Sequence, residues 1–216
     1  MIKTRASKKT YKSIAIASQR DKLIDNIDDS LDSDIGLQSL ESMGVFMYFD
    51  DVSQASSKEL CEFIIRANFT FAHDTPLTVL LNSYGGDVYS GFAAIDIMGA
   101  SRLPIHVVGV GAICSMASLI LTAGKPGFRY MSKNSYIMTH TYSSELEGNY
   151  HDFVAVRKSQ DNMHKRFINH FVNRTKLNER QVKSILLSPT DRWITAEEAL
   201  SYGLCDAIKD PWDEVK

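Results

Sequence analysis

Cysteine is scarce in this chain, which has only Cys61, Cys114 and Cys205. An odd number without metal-ligand spacing excludes a disulfide framework and reads as buried, reduced thiols in a reducing compartment. No apolar run reaches the roughly 18 residues of a membrane-spanning helix, and no secretory h-region is present. Neither sign of charge dominates: 24 Lys and Arg stand against 26 Asp and Glu, a net charge of -2. That balance gives no reason to invoke nucleic acid or an anionic membrane. The G-x-G-x-x-G fingerprint is missing, so dinucleotide binding is not expected. The G-x-S-x-G elbow of the α/β-hydrolases is missing too. His151, His164 and His170 lack H-E-x-x-H spacing, which argues against zinc, and they read as polar-face residues.

What is present suffices for one domain with a sizeable core: 216 residues, 44% of them hydrophobic. The start of the chain is different. Met1 to Arg20 carries Lys3, Arg5, Lys8, Lys9, Lys12 and Arg20 and no acid, and Asp21 to Asp34 is Ser/Asp-rich. Neither half offers enough apolar surface for a core. Residues 1–36 are therefore expected to be a flexible or partner-ordered arm, and 37–216 the folded domain. A basic, acid-free start also fits an organellar transit segment.

From Gly44 onward strand and helix signals alternate. Strands are predicted at Val45–Phe49, Pro76–Leu81, Ile105–Val110, near Phe128–Met131, at Tyr136–Thr139 and at Leu204–Ile208. Ser53 or Ser56 can cap a helix running to about Phe71, with Glu59 in capping-box spacing from Ser56. Further helices are expected at Val88–Ser101, at Ala117–Ala123 with Gly124 ending it, and from about Tyr150 to Arg174. Phe153, Val156, Met163, Phe167 and Phe171 recur at helical spacing in the last of these. Asn178 caps another helix, and Thr195-Ala196-Glu197-Glu198 opens a short one that stops at Gly203. Repeated β-α units with apolar strands predict a largely parallel α/β core.

Ser115 falls between the strand Ile105–Val110 and the helix beginning at Ala117. Free N–H groups and the helix dipole favour negative charge there, as a serine nucleophile needs when it attacks a carbonyl. The alternative is that Ser115 is only an N-cap. A serine needs a base within hydrogen-bond reach, and the base needs an orienting partner. His140 ends a predicted strand, a rigid mount for a base, although it also fits a core histidine. Asp191 precedes the Thr195 cap and is a candidate orienter or an ordinary turn aspartate. Gly85-Gly86 follows an apolar strand and lets backbone amides approach a ligand. One amide there, with that of Met116, could hold an oxyanion.

Taken in order, Asn82-Ser83-x-Gly85-Gly86, Gly111-x-x-x-Ser115-Met116, Asn134-Ser135-x-x-Met138-x-His140 and Asp191-Arg192-x-x-x-Ala196-Glu197-x-Ala199-x-x-Tyr202-Gly203-Leu204 resemble the proteolytic subunit of the Clp (caseinolytic) protease. The resemblance spans about Leu40 to Ile208. It implies an α/β fold of the Clp protease/crotonase-like type, a spiral of β-α units with the long helix as a projecting handle. It implies an ATP-dependent serine endopeptidase with Ser115 as nucleophile, His140 as general base and acid, Asp191 as orienting carboxylate, and Gly86 and Met116 as oxyanion donors. It further implies self-association into stacked rings, heptameric in relatives, and a partner AAA+ unfoldase of the Clp type that consumes the ATP and threads unfolded polypeptides. The subunit itself is then expected to bind no cofactor and no metal. The expected compartment is the cytoplasm, or an organelle stroma or matrix. The arm becomes an axial gate, a removed propeptide or a transit segment.

The chain departs from the family in places. Tyr84 replaces the usual proline, Thr141-Tyr142-Ser143-Ser144-Glu145 replaces a Gln-Pro-x-Gly-Gly stretch, and Thr190 stands where relatives often place an arginine. Two rival readings keep the scaffold and change the function: a non-catalytic ring subunit, and a crotonase-type acyl-CoA enzyme.

Overall fold

The structure, a computed structural model, describes residues 40–141 and 149–210. The chain divides into a unit Met1–Met43 and a unit Gly44–Lys216. Of the first unit, only the turn in which the Met43 amide donates to the Leu40 carbonyl (3.0 Å) is described. The expected arm, the segment 142–148, and the side chains of His151 and Phe153 lie outside the described residues.

The second unit is a mixed α/β fold. Its elements run β1 (Val45–Tyr48), α1 (Gln54–Thr70), β2 (Leu77–Ser83), α2 (Val88–Ala100), β3 (Ile105–Cys114), α3 (Met116–Ala123), β4 (Arg129–Met131), β5 (Tyr136–Thr139) and α4 (Tyr150–Arg174). Then follow α5 (Glu179–Gln181), a π-helical turn (Val182–Leu186), β6 (Arg192–Thr195), α6 (Ala196–Tyr202) and β7 (Ala207–Ile208). The sheet has the order β1-β2-β3-β4-β7, all parallel, with β5 added parallel to β3 and β6 antiparallel to β5.

Local chemistry accounts for most element ends. Ser53 caps α1 and forms a reciprocal capping box with Ser56, so both candidate serines take part. Asn178 with Gln181, and Thr195 with Glu198, form the expected boxes. Gly124 and Gly203 close α3 and α6, the latter with φ +77°, a conformation glycine adopts without strain. Leu77, Val79 and Leu81 of β2 join Leu60, Phe63 and Ile64 of α1 and Phe167 and Phe171 of α4 in one core. All eight residues of α3 are buried. A helix buried on every side belongs in the middle of a core, and α3 lies between α2 and α4.

Several expectations need correcting. The last strand begins at Ala207, not Leu204, and Glu59 takes no part in the α1 capping box, which closes between Ser53 and Ser56. β3 does not stop at Val110; it continues to Cys114. Its first half pairs with β4 (Val107↔Arg129 to Gly109↔Met131) and its second half with β5 (Ala112↔Tyr136 to Cys114↔Met138). His170 is not a polar-face residue. Its Nε2 lies 2.8 Å from Thr122 Oγ1 of α3, and burial pushes its pKa down to about 4. The long helix α4 splits in character. Met163, Phe167 and Phe171 belong to the core, whereas residues 154–162 include none that is buried and leave Val154 exposed.

Candidate active site

The nucleophile candidate is held in an unusual backbone conformation. Ser115 has φ +51° and ψ -120°, and besides Asp74 it is the only non-glycine residue at positive φ among the described residues. Such a conformation costs on the order of 1–3 kcal/mol and persists only where the surroundings over-determine it. They do so here. The Ser115 amide donates to the Met138 carbonyl (2.7 Å), and its own carbonyl accepts from the Ser118 amide (3.0 Å) and hydroxyl (2.6 Å). The Ser115 side chain makes no capping hydrogen bond to α3. Ser115 thus occupies the N-cap position of α3, but its hydroxyl is not engaged by the helix.

Strand register sets His140 next to Ser115, and Asp191 next to His140. The last pair of β3 and β5 is Cys114↔Met138, and the last of β5 and β6 is Thr139↔Arg192. Ser115 follows Cys114, His140 follows Thr139 and Asp191 precedes Arg192. All three thus emerge at the same end of three adjacent strands, and neighbouring strands lie about 4.8 Å apart. A second tie supports this. The Thr141 amide donates to the Ser188 carbonyl (3.1 Å) and its hydroxyl to the Leu187 carbonyl (2.7 Å), fastening the residue after His140 to the segment before Asp191.

The side chains do not form a closed relay. Among the described residues no hydrogen bond joins Ser115 to His140 or His140 to Asp191. Instead His140 Nδ1 donates to the Thr141 carbonyl (2.8 Å). A carbonyl can only accept, so Nδ1 carries the proton and, in the neutral ring, Nε2 is the bare nitrogen. Asp191 is exposed. Its charge reaches Cys114, whose thiol pKa is raised chiefly by burial and further by Asp191, against the opposing effect of the Met138 backbone.

The glycine turn meets the serine from the other side. A Cβ on Gly85 would come within 2.6 Å of the Cys114 carbonyl, 2.7 Å of Ser115 Cβ and 3.0 Å of the Met116 nitrogen. Gly86 forms a parallel bridge with Val52, through the Val52 amide to the Gly85 carbonyl and the Asp87 amide to the Val52 carbonyl, both 2.7 Å. In a parallel bridge those two bonds belong to the residues flanking Gly86, so the Gly86 amide points away from Val52. Met116 is the first residue of α3, and its amide has no intrahelical acceptor.

Sequence reasoning missed three supporting residues. Asn82 Oδ1 accepts from the Ala112 amide (3.1 Å), Ser83 Oγ accepts from the Gly85 amide (3.2 Å), and Val52 clamps Gly86 through its backbone. Asn82 and Ser83 stand in the motif that carried the resemblance, which was the only available signal. Nothing about Val52 in the sequence marks it. Of the departures, Tyr84 is exposed beside the glycines, and the exposed Thr190 bonds within its own turn, to Ser188.

The strand order, the strained serine at the head of a buried helix and the paired glycines against it agree with one comparison. A family model described as Clp protease matches residues 30–211, most of the chain, and the protein belongs to the Clp protease family.

Proposed function

We propose that this chain is a serine endopeptidase subunit in which Ser115, His140 and Asp191 act as a triad, with the Gly86 and Met116 amides as oxyanion donors. Membership of the Clp protease family supports a peptidase, that is, a hydrolase of peptide bonds. The observation that carries the finer reading is the register that ends β3, β5 and β6 at Cys114↔Met138 and Thr139↔Arg192.

Ser115 Oγ bonds to the scissile carbonyl carbon while its proton passes to His140 Nε2. The carbonyl oxygen becomes an oxyanion beside the Gly86 and Met116 amides. As the C–N bond breaks, the imidazolium returns the proton to the leaving amine. Water, deprotonated by the same nitrogen, then releases the acyl group and restores Ser115. Asp191 takes the Nδ1–H now given to Thr141. The proton is already on Nδ1, so the ring changes partner without changing tautomer.

The substrates are unfolded polypeptides, cut inside a barrel of stacked rings to which an AAA+ partner delivers them. The reaction as written draws on side chains and backbone amides alone.

The test is labelling with a fluorophosphonate probe, together with fluorogenic peptide hydrolysis by the assembled protein. Covalent labelling at Ser115, and a loss on the order of 10⁴-fold in Ser115→Ala, are expected. Unlabelled protein, or full activity in Ser115→Ala, overturns the assignment and favours the non-catalytic ring subunit.

A further inference from the structure

Between Leu81↔Gly109 and Ser83↔Ile113 a single residue of β2, Asn82, stands opposite Val110, Gly111 and Ala112 of β3. Where one strand carries two extra residues, the ladder loses hydrogen bonds and the strand bends. The bend falls where β3 leaves β4 (last pair Gly109↔Met131) and joins β5 (first pair Ala112↔Tyr136). Ahead of it lies a core strand; beyond it lie Cys114 and Ser115.

The Asn82 carboxamide fills this gap. Its Oδ1 accepts the Ala112 amide at 3.1 Å across 30 positions of sequence, replacing a ladder bond that the bulge removes. Gly111 has φ +66°, and a Cβ there would come within 3.1 Å of Asn82 Oδ1. The glycine therefore supplies both the conformation and the room for the carboxamide. The next residue, Ser83, resumes pairing with Ile113 and holds the Gly85 amide through its hydroxyl (3.2 Å). Two consecutive residues of β2 thus brace the nucleophile strand and the glycine turn.

We propose that Asn82 is a positioning residue for the hydrolytic reaction: its Oδ1 fixes the β3 bulge and so sets Ser115 against His140 and against the Gly86 amide. This rests on the triad reading above. The effect belongs to the reacting geometry rather than to substrate affinity, because Asn82 acts through the backbone of Ala112. A displacement of about 1 Å at a reacting atom is enough for a loss on the order of 100-fold.

The experiment compares wild type with Asn82→Leu, which keeps the branched shape without the acceptor, and Asn82→Asp, which restores an acceptor oxygen. In the assembled full-length protein, Asn82→Leu is expected to lower kcat and the rate of fluorophosphonate labelling on the order of 100-fold with KM nearly unchanged, and Asn82→Asp to recover most of that loss. Hydrogen exchange of the Ala112 amide in the wild type is the arm that needs no variant to fold, and slow exchange is expected. Labelling of Asn82→Leu at the wild-type rate, failure of Asn82→Asp to improve on Asn82→Leu, or rapid exchange at Ala112 overturns the proposal. Failure of the wild type itself to label at Ser115 strikes the triad reading instead, and the exchange measurement still decides whether Asn82 holds the bulge.

Discussion

Gly85 lies against Ser115 so closely that a Cβ at position 85 would come within 2.7 Å of the Ser115 Cβ, and Gly85 itself has φ +89°. Two independent constraints therefore demand glycine: a left-handed conformation, and contact with a backbone that cannot move without carrying the nucleophile along. Gly85→Ala is expected to lower stability by about 1–3 kcal/mol and to slow fluorophosphonate labelling of Ser115 at least as strongly. Thermal unfolding and labelling rates measure the two effects on the same samples. Wild-type labelling in a folded Gly85→Ala protein would show that the close approach does not matter.

Strain at Ser115 gives an expectation of opposite sign. The residue holds φ +51° against its side-chain preference, and its hydroxyl repays nothing to α3. Glycine adopts this backbone freely. Ser115→Gly is expected to raise stability by about 1 kcal/mol, or roughly 2–4 °C in Tm, while abolishing labelling and peptide hydrolysis. A Ser115→Gly protein that melts below wild type under the same assembly conditions contradicts the idea that the site stores strain.

How much of this was legible in the sequence depends on how local the cause is. Asn178 and Thr195 announce their helices because a cap and its N3 partner are neighbours in the chain. β2 is legible because an apolar run such as Leu77 to Leu81 reads as a buried strand. The extension of β3 to Cys114 was not legible, because the bulge at Gly111 is held by Asn82, a residue from another strand. β6 escaped notice because Arg192–Thr195 is short and half exposed, with Ile194 its only buried residue. Yet β6 is the element that carries Asp191 next to His140. The site was visible as a resemblance in motif order, and its register followed only from the sheet. The turn of His140 toward Thr141 has no trace in the residue pattern.

His170 makes a pH dependence. It sits between α3 and α4 with Thr122 Oγ1 at 2.8 Å. Burial pushes its pKa from 6.5 down to about 4, helped by the charges of Arg174 on its own helix and Arg129 on β4, and opposed by the Leu119 backbone. Between those two values the unfolded chain binds a proton at this residue and the folded protein does not. Stability from this group is intact above about pH 6.5 and falls as pH drops toward 4, by up to about 3 kcal/mol. His170→Gln keeps a hydrogen-bonding side chain without the titration. Denaturant unfolding from pH 4 to 7.5 should show a steeper decline in wild type than in His170→Gln; parallel curves would mean that His170 titrates alike in both states.

The far edge of the sheet carries a largely buried ion pair in addition to its apolar contacts. Arg129 of β4 grips Asp206 with Nε to Oδ2 (2.9 Å) and Nη2 to Oδ1 (2.6 Å), and its Nη1 donates to the Arg174 carbonyl at the end of α4. Asp206 also accepts the Gly127 (2.8 Å) and Arg129 (3.0 Å) amides. Burial alone would raise its pKa, but the bonds from Arg129 outweigh that and hold it below the usual carboxylate range. The Arg129 side chain is only 8% exposed, so removing its partner strands a buried cation. Asp206→Asn is expected to cost about 3 kcal/mol, roughly 6–12 °C in Tm. The double variant Arg129→Met/Asp206→Leu should cost clearly less than the sum of its single changes, because it buries no unpaired charge. Both proteins should label at Ser115 at the wild-type rate well below their melting temperatures, since the pair binds β4 to the segment before β7 and touches none of the strand ends that carry the candidate site. Strict additivity of the two changes in denaturant unfolding would show that the pair is two independent contacts rather than one coupled lock.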